Sequence, residues 1–401
     1  MVLSTHTRNA NGDMADVLIV GAGPAGLALA NMLLRSGINP IIVDKLAAGQ
    51  NTSRAAVIHA HTLEVLESIG VSERLVAEGL KLTQVSMRDR DRVLLRLRFD
   101  KLPTRYNFLL MLPQDVTERI LAEALAEAGG SVRWNCRVES LTETSEGIHA
   151  TVLTSQGKKT LHARYVIGAD GMNSLVRETA GIRFSGGSHE ASFVLADVSM
   201  DWKHGNNEVM LFLSADGLLL IAPLKADQYR IVASLGHAPA QLGLNDVQAL
   251  IDNRGMTRDA GQIAQVHWSS RFHVHHRVAD HFHRRRYLLI GDAAHVHSPA
   301  GGQGMNAGLV DACVLGRILS DVILKHKEYC ALDHYDALRK PAAEQVLQLA
   351  ERLTRMTLIK STPQRLLRNI LLQTMGMFPA FRNRLQMDLS GLSRRDSARI
   401  E

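Results

Sequence analysis

Three glycine-rich segments, far apart in the chain, carry the residue types that could grip a large anionic cofactor. The first is Gly21-Ala-Gly-Pro-Ala-Gly26. The apolar run Ala15 to Val20 precedes it and reads as a buried parallel strand. Leu27 to Arg35 follows with helical spacing and stops at Gly37. In a strand–turn–helix unit of this kind Gly21 makes the tight turn and Gly23 lets backbone approach a pyrophosphate. Gly26, beside Ala25, lets the helix pack on the strand. A second strand, Pro40 to Val43, ends at Asp44-Lys45. An acid about 20 residues past the glycines is placed to take ribose hydroxyls. The spacing predicts a βαβ unit that binds a dinucleotide.

The second segment is Gly168-Ala-Asp-Gly171, which follows a predicted strand and opens a helix over Ser174 to Ala180. The third runs from Tyr287-Leu-Leu-Ile-Gly-Asp292 through Pro299-Ala-Gly-Gly-Gln-Gly-Met-Asn306. It reads as an apolar strand, an acid, a glycine loop and a helix starting near Met305. A helix start offers unpaired N–H groups and the positive end of a dipole, which suits an anionic ring edge. Gly301, Gly302 and Gly304 present no side chains that would block the approach.

Around these segments the pattern is α/β: a Rossmann-like nucleotide fold interrupted by an antiparallel sheet and followed by helices. Thr62 to Ile69 and Asp115 to Ala128 read as helices. Ser131 to Val138, Gly147 to Thr154 and Lys159 to Ile167 read as strands. From Phe184 to about Arg277 the texture changes to alternating strands, Glu208 to Leu213, Gly217 to Pro223 and Tyr229 to Leu235, joined by short polar turns. After Asn306 the chain reads as helical, broken at Pro341, Pro363 and Pro379. The expected organisation is a disordered extension over 1–13 and a discontinuous nucleotide-binding domain over 14–183 and 278–340. An inserted β domain over 184–277 should bind substrate, and a helical region fills 341–401.

Composition narrows the classes. The 401 residues are 46% hydrophobic and 21% charged, ordinary globular usage. A net charge of +6 favours anionic small ligands. The basic residues are scattered and only 4% of residues are aromatic, so no nucleic-acid platform is evident. Cys136, Cys313 and Cys330 are too scattered for a disulfide frame and suggest a reducing, cytoplasmic setting. No apolar run is long enough to span a membrane.

The second and third segments resemble the Asp-Gly and Gly-Asp motifs of the class A FAD-dependent aromatic monooxygenases, the para-hydroxybenzoate hydroxylase and phenol hydroxylase-like family. The likeness extends to Ser53-Arg-Ala55, Thr62-Leu-Glu64, Leu112-Pro-Gln114 with Thr117-Glu118, and Arg271-Phe272, and spans residues 15 to about 345. The chain resembles a short form without the C-terminal thioredoxin-like domain of larger members, and it has His61 where many relatives have Arg. The resemblance implies FAD, with NAD(P)H as a transient co-substrate and O2 as oxidant, hydroxylating an aromatic or phenolic ring through a flavin C4a-hydroperoxide. It implies that Gly21, Gly23 and Gly26 hold the pyrophosphate and Asp44 the adenosine ribose. Arg54 would line the pyrophosphate and flavin edge, and Gln114 the ribityl chain. Asp170 with Gly171 would serve both FAD and the nicotinamide, and Asp292 the ribityl or pyrophosphate oxygens. Pro299 to Asn306, including Gly302, Gly304 and Met305, would run along the isoalloxazine ring. Within the same fold, a reductase, a halogenase or an FAD-carrying binding protein is the alternative. The halogenase Trp-x-Trp pair is absent, since Trp134, Trp202 and Trp268 stand alone.

The expected substrate pocket lies between the ring and the antiparallel sheet, with Met210, Phe212, Leu220 and Ala222 as its candidate lining. No catalytic base is assignable. His273, His275, His276, His281 and His283 crowd together, but no Cys joins them and their alternation fits a strand with one solvated face, so no metal is expected. Arg365 to Phe378 is basic and apolar. A ubiquinone-pathway-like hydroxylase would rest such a segment on a membrane, but a terminal helix packed on the protein or a dimer mate explains it more simply.

Overall fold

The computed structural model describes residues 13–48, 55–236 and 241–399. The extension expected over 1–13 therefore lies outside the described residues except for Asp13. Arg54 lies outside them too.

Strand β1 (Met14–Val20) is buried along its C-terminal half and feeds helix α1 (Pro24–Arg35) through the first glycine turn. Strand β2 (Ile41–Val43) returns parallel to β1. Helix α2 (Gln114–Glu127) covers this unit, burying Ile120, Leu121 and Leu125. The second glycine segment leaves the end of β3 (Gly157–Gly168), whose last residues pair parallel with β1. The expected single strand over 131–138 is two, Val132–Arg133 and Arg137–Glu143. Only the first joins the parallel core.

The antiparallel sheet is built from β4 (Phe184–Asp201), β5 (Glu208–Ser214), β6 (Gly217–Pro223), β7 (Gln228–Leu235) and β8 (Gln262–Ala279). Its order is His295–Val296, β8, β4, β7, β6, β5, Gln84–Asp89, Arg92–Arg98. The last two strands come from the segment assigned by sequence to the nucleotide-binding domain, so this sheet is not built from 184–277 alone. Helix α3 (Leu244–Arg254) seals one of its faces with Val247, Leu250 and Ile251, forming a separate apolar cluster with Met210, Phe212, Leu219 and Ile221.

Strand β9 (Tyr287–Leu289) returns to the first sheet, whose parallel order is β9, β3, β1, β2, Val132–Arg133. Then come α4 (Gly304–Ile323), α5 (Ala331–Thr357), α6 (Thr362–Met377) and α7 (Pro379–Leu389), and the chain closes with a 3-10 segment, Leu392–Ala398. Pro363 and Pro379 sit in first turns, where a missing N–H costs nothing. Pro341 does not break the chain as expected. It lies inside α5, where buried Tyr335, Ala342, Ala343 and Val346 hold the helix together across it. Among the described residues no helix is long and apolar enough to cross a membrane.

Candidate active site

All three glycine segments leave the carboxyl ends of adjacent parallel strands. Val20 of β1 is level with Gly168 of β3 and with Val43 of β2, and Gly168 is level with Leu289 of β9. Ligands bind at this edge of open α/β sheets. The segments interlock here. Gly21 has a φ of +106°, and a Cβ on it would sit 2.3 Å from the Ala169 carbonyl oxygen. A Cβ on Gly26 would sit 2.0 Å from the Gly21 oxygen. Ala25 Cβ is 3.4 Å from the Cβ position of Gly291, and a Cβ on Gly308 would lie 3.0 Å from the Gly291 Cα. Gly308 was not singled out from the sequence, although Gly304 and Gly308 stand four apart on one helix face.

The residues fit an FAD pyrophosphate and ribose. Helix α1 starts at Gly23 and Pro24 with no side-chain cap, which leaves its first N–H groups to an external anion. Asp44, half-buried at the end of β2, accepts from Ala22 N at 2.7 Å and Leu46 N at 2.8 Å, so its carboxylate is fixed beside the turn. Lys45 is exposed. Asp170 accepts from Val176 N at 3.3 Å, but its Oδ1 is buried with no partner. Burial raises its pKa. A buried, unfilled acceptor at this edge suits a hydroxyl donor from a cofactor. Asp292 lies exposed one residue past Gly291.

Gln114 begins α2. Its side-chain oxygen accepts from Ala55 N at 3.2 Å while its amide donates to Glu118 at 2.8 Å, so it anchors the chain next to Arg54. The flavin loop is held from behind. Asn306 donates to the Val57 and Gly302 oxygens at 2.9 and 2.8 Å and accepts from His59 N at 2.8 Å. Its carboxamide is thereby committed to fixing the loop. Gly301 and Gly302 both have positive φ, and a Cβ on Gly302 would lie 2.3 Å from Val57 Cγ1. Half-buried Pro299 and Met305 flank them, and Gly304 starts α4, which has no side-chain cap. His59 and His297 lie against this loop, both lowered to about 4 by burial. His297 as a residue is partly exposed, but its Nε2 is shut off from solvent without a partner.

Two buried links escaped the sequence reading. Arg177 donates to the Ala293 oxygen at 3.0 Å and the Met172 oxygen at 2.9 Å, tying the second segment to the third. Asp311, fully buried on α4, accepts from His295 Nε2 at 2.6 Å, Arg339 Nε at 2.7 Å and Gly291 N at 3.2 Å. Its signal was available: it is the lone charge in the first thirteen residues of an otherwise apolar helix.

The substrate-pocket expectation needs correcting. Met210 pairs with Ile221 and Phe212 with Leu219, so all four share the face sealed by α3. Met210 and Phe212 are sheet core and cannot line a pocket with Leu220. Leu220 and Ala222 occupy the opposite face, turned toward the main core. There a row of directly paired residues, Leu211, Leu220, Val232 and Leu195, crosses the sheet, and the first three are only half-buried. The short strand His295–Val296 pairs with Arg277–Val278 at this sheet's edge and delivers the chain into the flavin loop. Among the described residues no group of three or more His, Cys, Asp or Glu is placed to hold a metal ion.

Residues 14–350 match the family model described as FAD binding domain. The chain is 34% identical over 355 residues to pentachlorophenol 4-monooxygenase of Sphingobium chlorophenolicum, covering 86% of this chain and 66% of that protein. It is 32% identical over 354 residues to 6-methylpretetramide 4-monooxygenase of Streptomyces rimosus, covering 87% and 63%. It thus spans slightly less than two thirds of these relatives' length. The structure superposes on the OxyS anhydrotetracycline hydroxylase of Streptomyces rimosus with a TM-score of 0.80 and 30% identity, covering 94% of this chain and 76% of the other. It also shares the fold of p-nitrophenol 4-monooxygenase PnpA from Pseudomonas putida DLL-E4, with a TM-score of 0.84 at 21% identity, covering 96% and 99%. The chain belongs to the FAD-binding family of class A aromatic monooxygenases.

Proposed function

We propose that this protein is an FAD-dependent hydroxylase of an aromatic, phenolic substrate, consuming NAD(P)H and O2. One observation carries the reading: three glycine segments and Asp44 converge on one sheet edge, and the second sheet, whose edge strand leads into the third segment, carries a half-buried apolar row on the face turned away from α3. When bound, FAD supplies electron transfer from the nicotinamide to O2 and delivery of oxygen to the ring. The chain supplies binding, orientation and exclusion of water. Gly23 and Gly26 would bring backbone N–H groups to the pyrophosphate, Gly21 would shape the turn with its own N–H donated to the Val43 oxygen at 2.8 Å, and Asp44 would take the ribose. Asp170 and Asp292 would accept from cofactor hydroxyls farther along, Gln114 would border the same path, and Arg54, outside the described residues, would offer a cation to the pyrophosphate. The start of α4, with Gly302, Gly304, Met305 and Asn306, would offer a positive dipole end to the negative edge of a bound ring. Leu220, with Leu211 and Val232, offers a flat apolar surface on which a planar substrate excludes water.

The two relatives are named for pentachlorophenol and for 6-methylpretetramide, and the first of these supports a phenol as the substrate class here. The chain has no second GxGxxG unit, so the nicotinamide would bind transiently. The proposed use of a nicotinamide and the scattered cysteines support a cytoplasmic setting. The test is NAD(P)H oxidation by the purified flavoprotein over a phenol panel, with product and peroxide quantified. Oxidation stimulated by a phenol, with hydroxylated product, is expected. A bound flavin that NAD(P)H fails to reduce in the presence of every phenol of the panel would overturn the proposal.

A further inference from the structure

Helix α6 packs on the protein by one face only. Leu372, Arg368 and Asn369 are buried there. Arg368 donates to the Leu213 oxygen at 3.0 Å, and Asn369 donates to Asp89 Oδ2 at 2.6 Å. This face covers the sheet edge at Arg92–Arg98. The other face is bare. Leu366, Leu367, Ile370 and Leu371 are 59, 57, 50 and 49% exposed, and Met377 and Phe378 at the helix end are 76 and 60% exposed. Their spacing puts them on one side of the helix. Six large apolar side chains together expose on the order of several hundred Å², the size at which a patch marks an interaction surface.

Charge selects the occupant. From Arg352 to Arg384 the chain carries seven cations and no acid. Arg368 is spent inside the fold, but Arg352, Lys360 and Arg384 are exposed. A second copy docked through this segment would be related by two-fold symmetry and would bring two sets of these cations, with no acid from Arg352 to Arg384, to one interface. An anionic bilayer surface complements both features, taking the apolar side chains at the acyl boundary and the cations at the headgroups. Among the described residues no helix is long and apolar enough to cross a membrane, so α6 would lie in the surface plane. We propose that α6 and the adjoining start of α7 dock this protein on anionic lipid bilayers.

The test is flotation of the full-length flavoprotein with vesicles of phosphatidylcholine alone or with roughly a third phosphatidylglycerol. Binding is expected to the mixed vesicles at low salt, and about tenfold weaker to phosphatidylcholine alone or at high salt. Ile370→Glu and, separately, Leu367→Gln should weaken it about tenfold or more. Flavin content and thermal unfolding should change little, because both side chains are half or more exposed and neither belongs to the apolar core or to the cofactor edge. No binding to mixed vesicles overturns the proposal, as does binding that both variants leave intact. A dimer in sedimentation that Ile370→Glu dissociates, without vesicle binding, assigns the face to a second copy instead.

Discussion

Replacing Asp311 by asparagine tests whether the third glycine segment is held by a buried charge. The carboxylate is fully buried and accepts from Arg339, His295 and Gly291 N. Arg339 is only 3% exposed, and its other contacts are neutral: the Ser397 hydroxyl at 2.9 Å and the Ser397 and Ala307 carbonyl oxygens. The carboxamide of Asp311→Asn would leave that guanidinium without a counter-charge and turn its own N–H group toward another donor. Breaking a buried pair in this way costs about 3–5 kcal/mol. Asp311→Asn combined with Arg339→Met removes the orphan as well, so the pair should cost less than the sum of the singles by about 1–3 kcal/mol. Burial pushes the Asp311 carboxyl up, but its contacts with His295 and the Arg339 guanidinium more than offset it and hold it below its ordinary value. A depressed carboxyl stabilises the fold above its unfolded value, about 3.9, and that stability is lost as pH falls through the folded pKa. The defect of Asp311→Asn should therefore be full at neutral pH and shrink below about pH 4. Urea denaturation followed by circular dichroism, with flavin retention measured alongside, reads all three effects. A single-variant loss under about 1 kcal/mol, or strict additivity in the double, would refute the argument.

Gly26→Ala places a methyl 2.0 Å from a backbone oxygen. Flavin absorbance per mole of purified variant should fall about tenfold or more, and stoichiometric flavin would contradict the cradle. Leu220→Ala should shift the preferred size of phenol with little loss of stability. Met210→Ala should cost about 2–5 kcal/mol and leave the substrate profile alone, and the reverse outcome would restore the sequence-based pocket. His59 and His297 are held near 4, so between about pH 4 and 6.5 the unfolded chain binds protons that the fold excludes. Stability should be complete above about pH 6.5 and fall toward pH 4, by up to about 1.4 kcal/mol per pH unit for each imidazole. His297→Gln should flatten that slope in urea midpoints measured against pH, and an unchanged slope would mean the ring does not stay neutral.

Much of the nucleotide-binding edge was legible because its signals are local. Gly21, Gly26 and Asp44 are defined by a single βαβ unit, and backbone sterics fix which positions must be glycine. The pocket error was of another kind. Within one strand, alternation separates two faces, but choosing a common face for two strands needs their register. A short polar turn joins β5 to β6, and Ser214 pairs with Gly217, so each paired sum along the hairpin is 431. An even-numbered residue on β5 therefore shares a face with an odd-numbered one on β6. Grouping Met210 and Phe212 with Leu220 and Ala222 violated that parity. The strands at Gln84–Arg98 were illegible for a different reason. They belong to the second sheet through pairing with Glu208–Phe212, more than a hundred residues away, and nothing local announces it.

The flavin loop shows why local signals were sufficient to find the site but not to explain its rigidity. A run of glycines with positive φ at Gly301 and Gly302 is conformationally free by itself. What fixes it comes from both ends of the chain. His59 meets the Gly301 oxygen at 2.9 Å, and Asn306 reaches the strand at Val57. Gln303 donates to the Leu389 oxygen at 2.9 Å and accepts from Arg394 at 2.9 Å. The Ser390 oxygen accepts from His61 N at 3.2 Å, and Arg395 pairs with Glu64. The helix carrying His61 and Glu64 is thus clamped by the same C-terminal segment that holds Gln303. The front of the loop keeps its bare backbone for a cofactor, and the back is locked by hydrogen bonds to partners 86 to 249 residues away. Preorganisation of this kind reduces the ordering cost of binding. It also couples cofactor retention to residues 386–398, which contain none of the motifs by which the site was recognised.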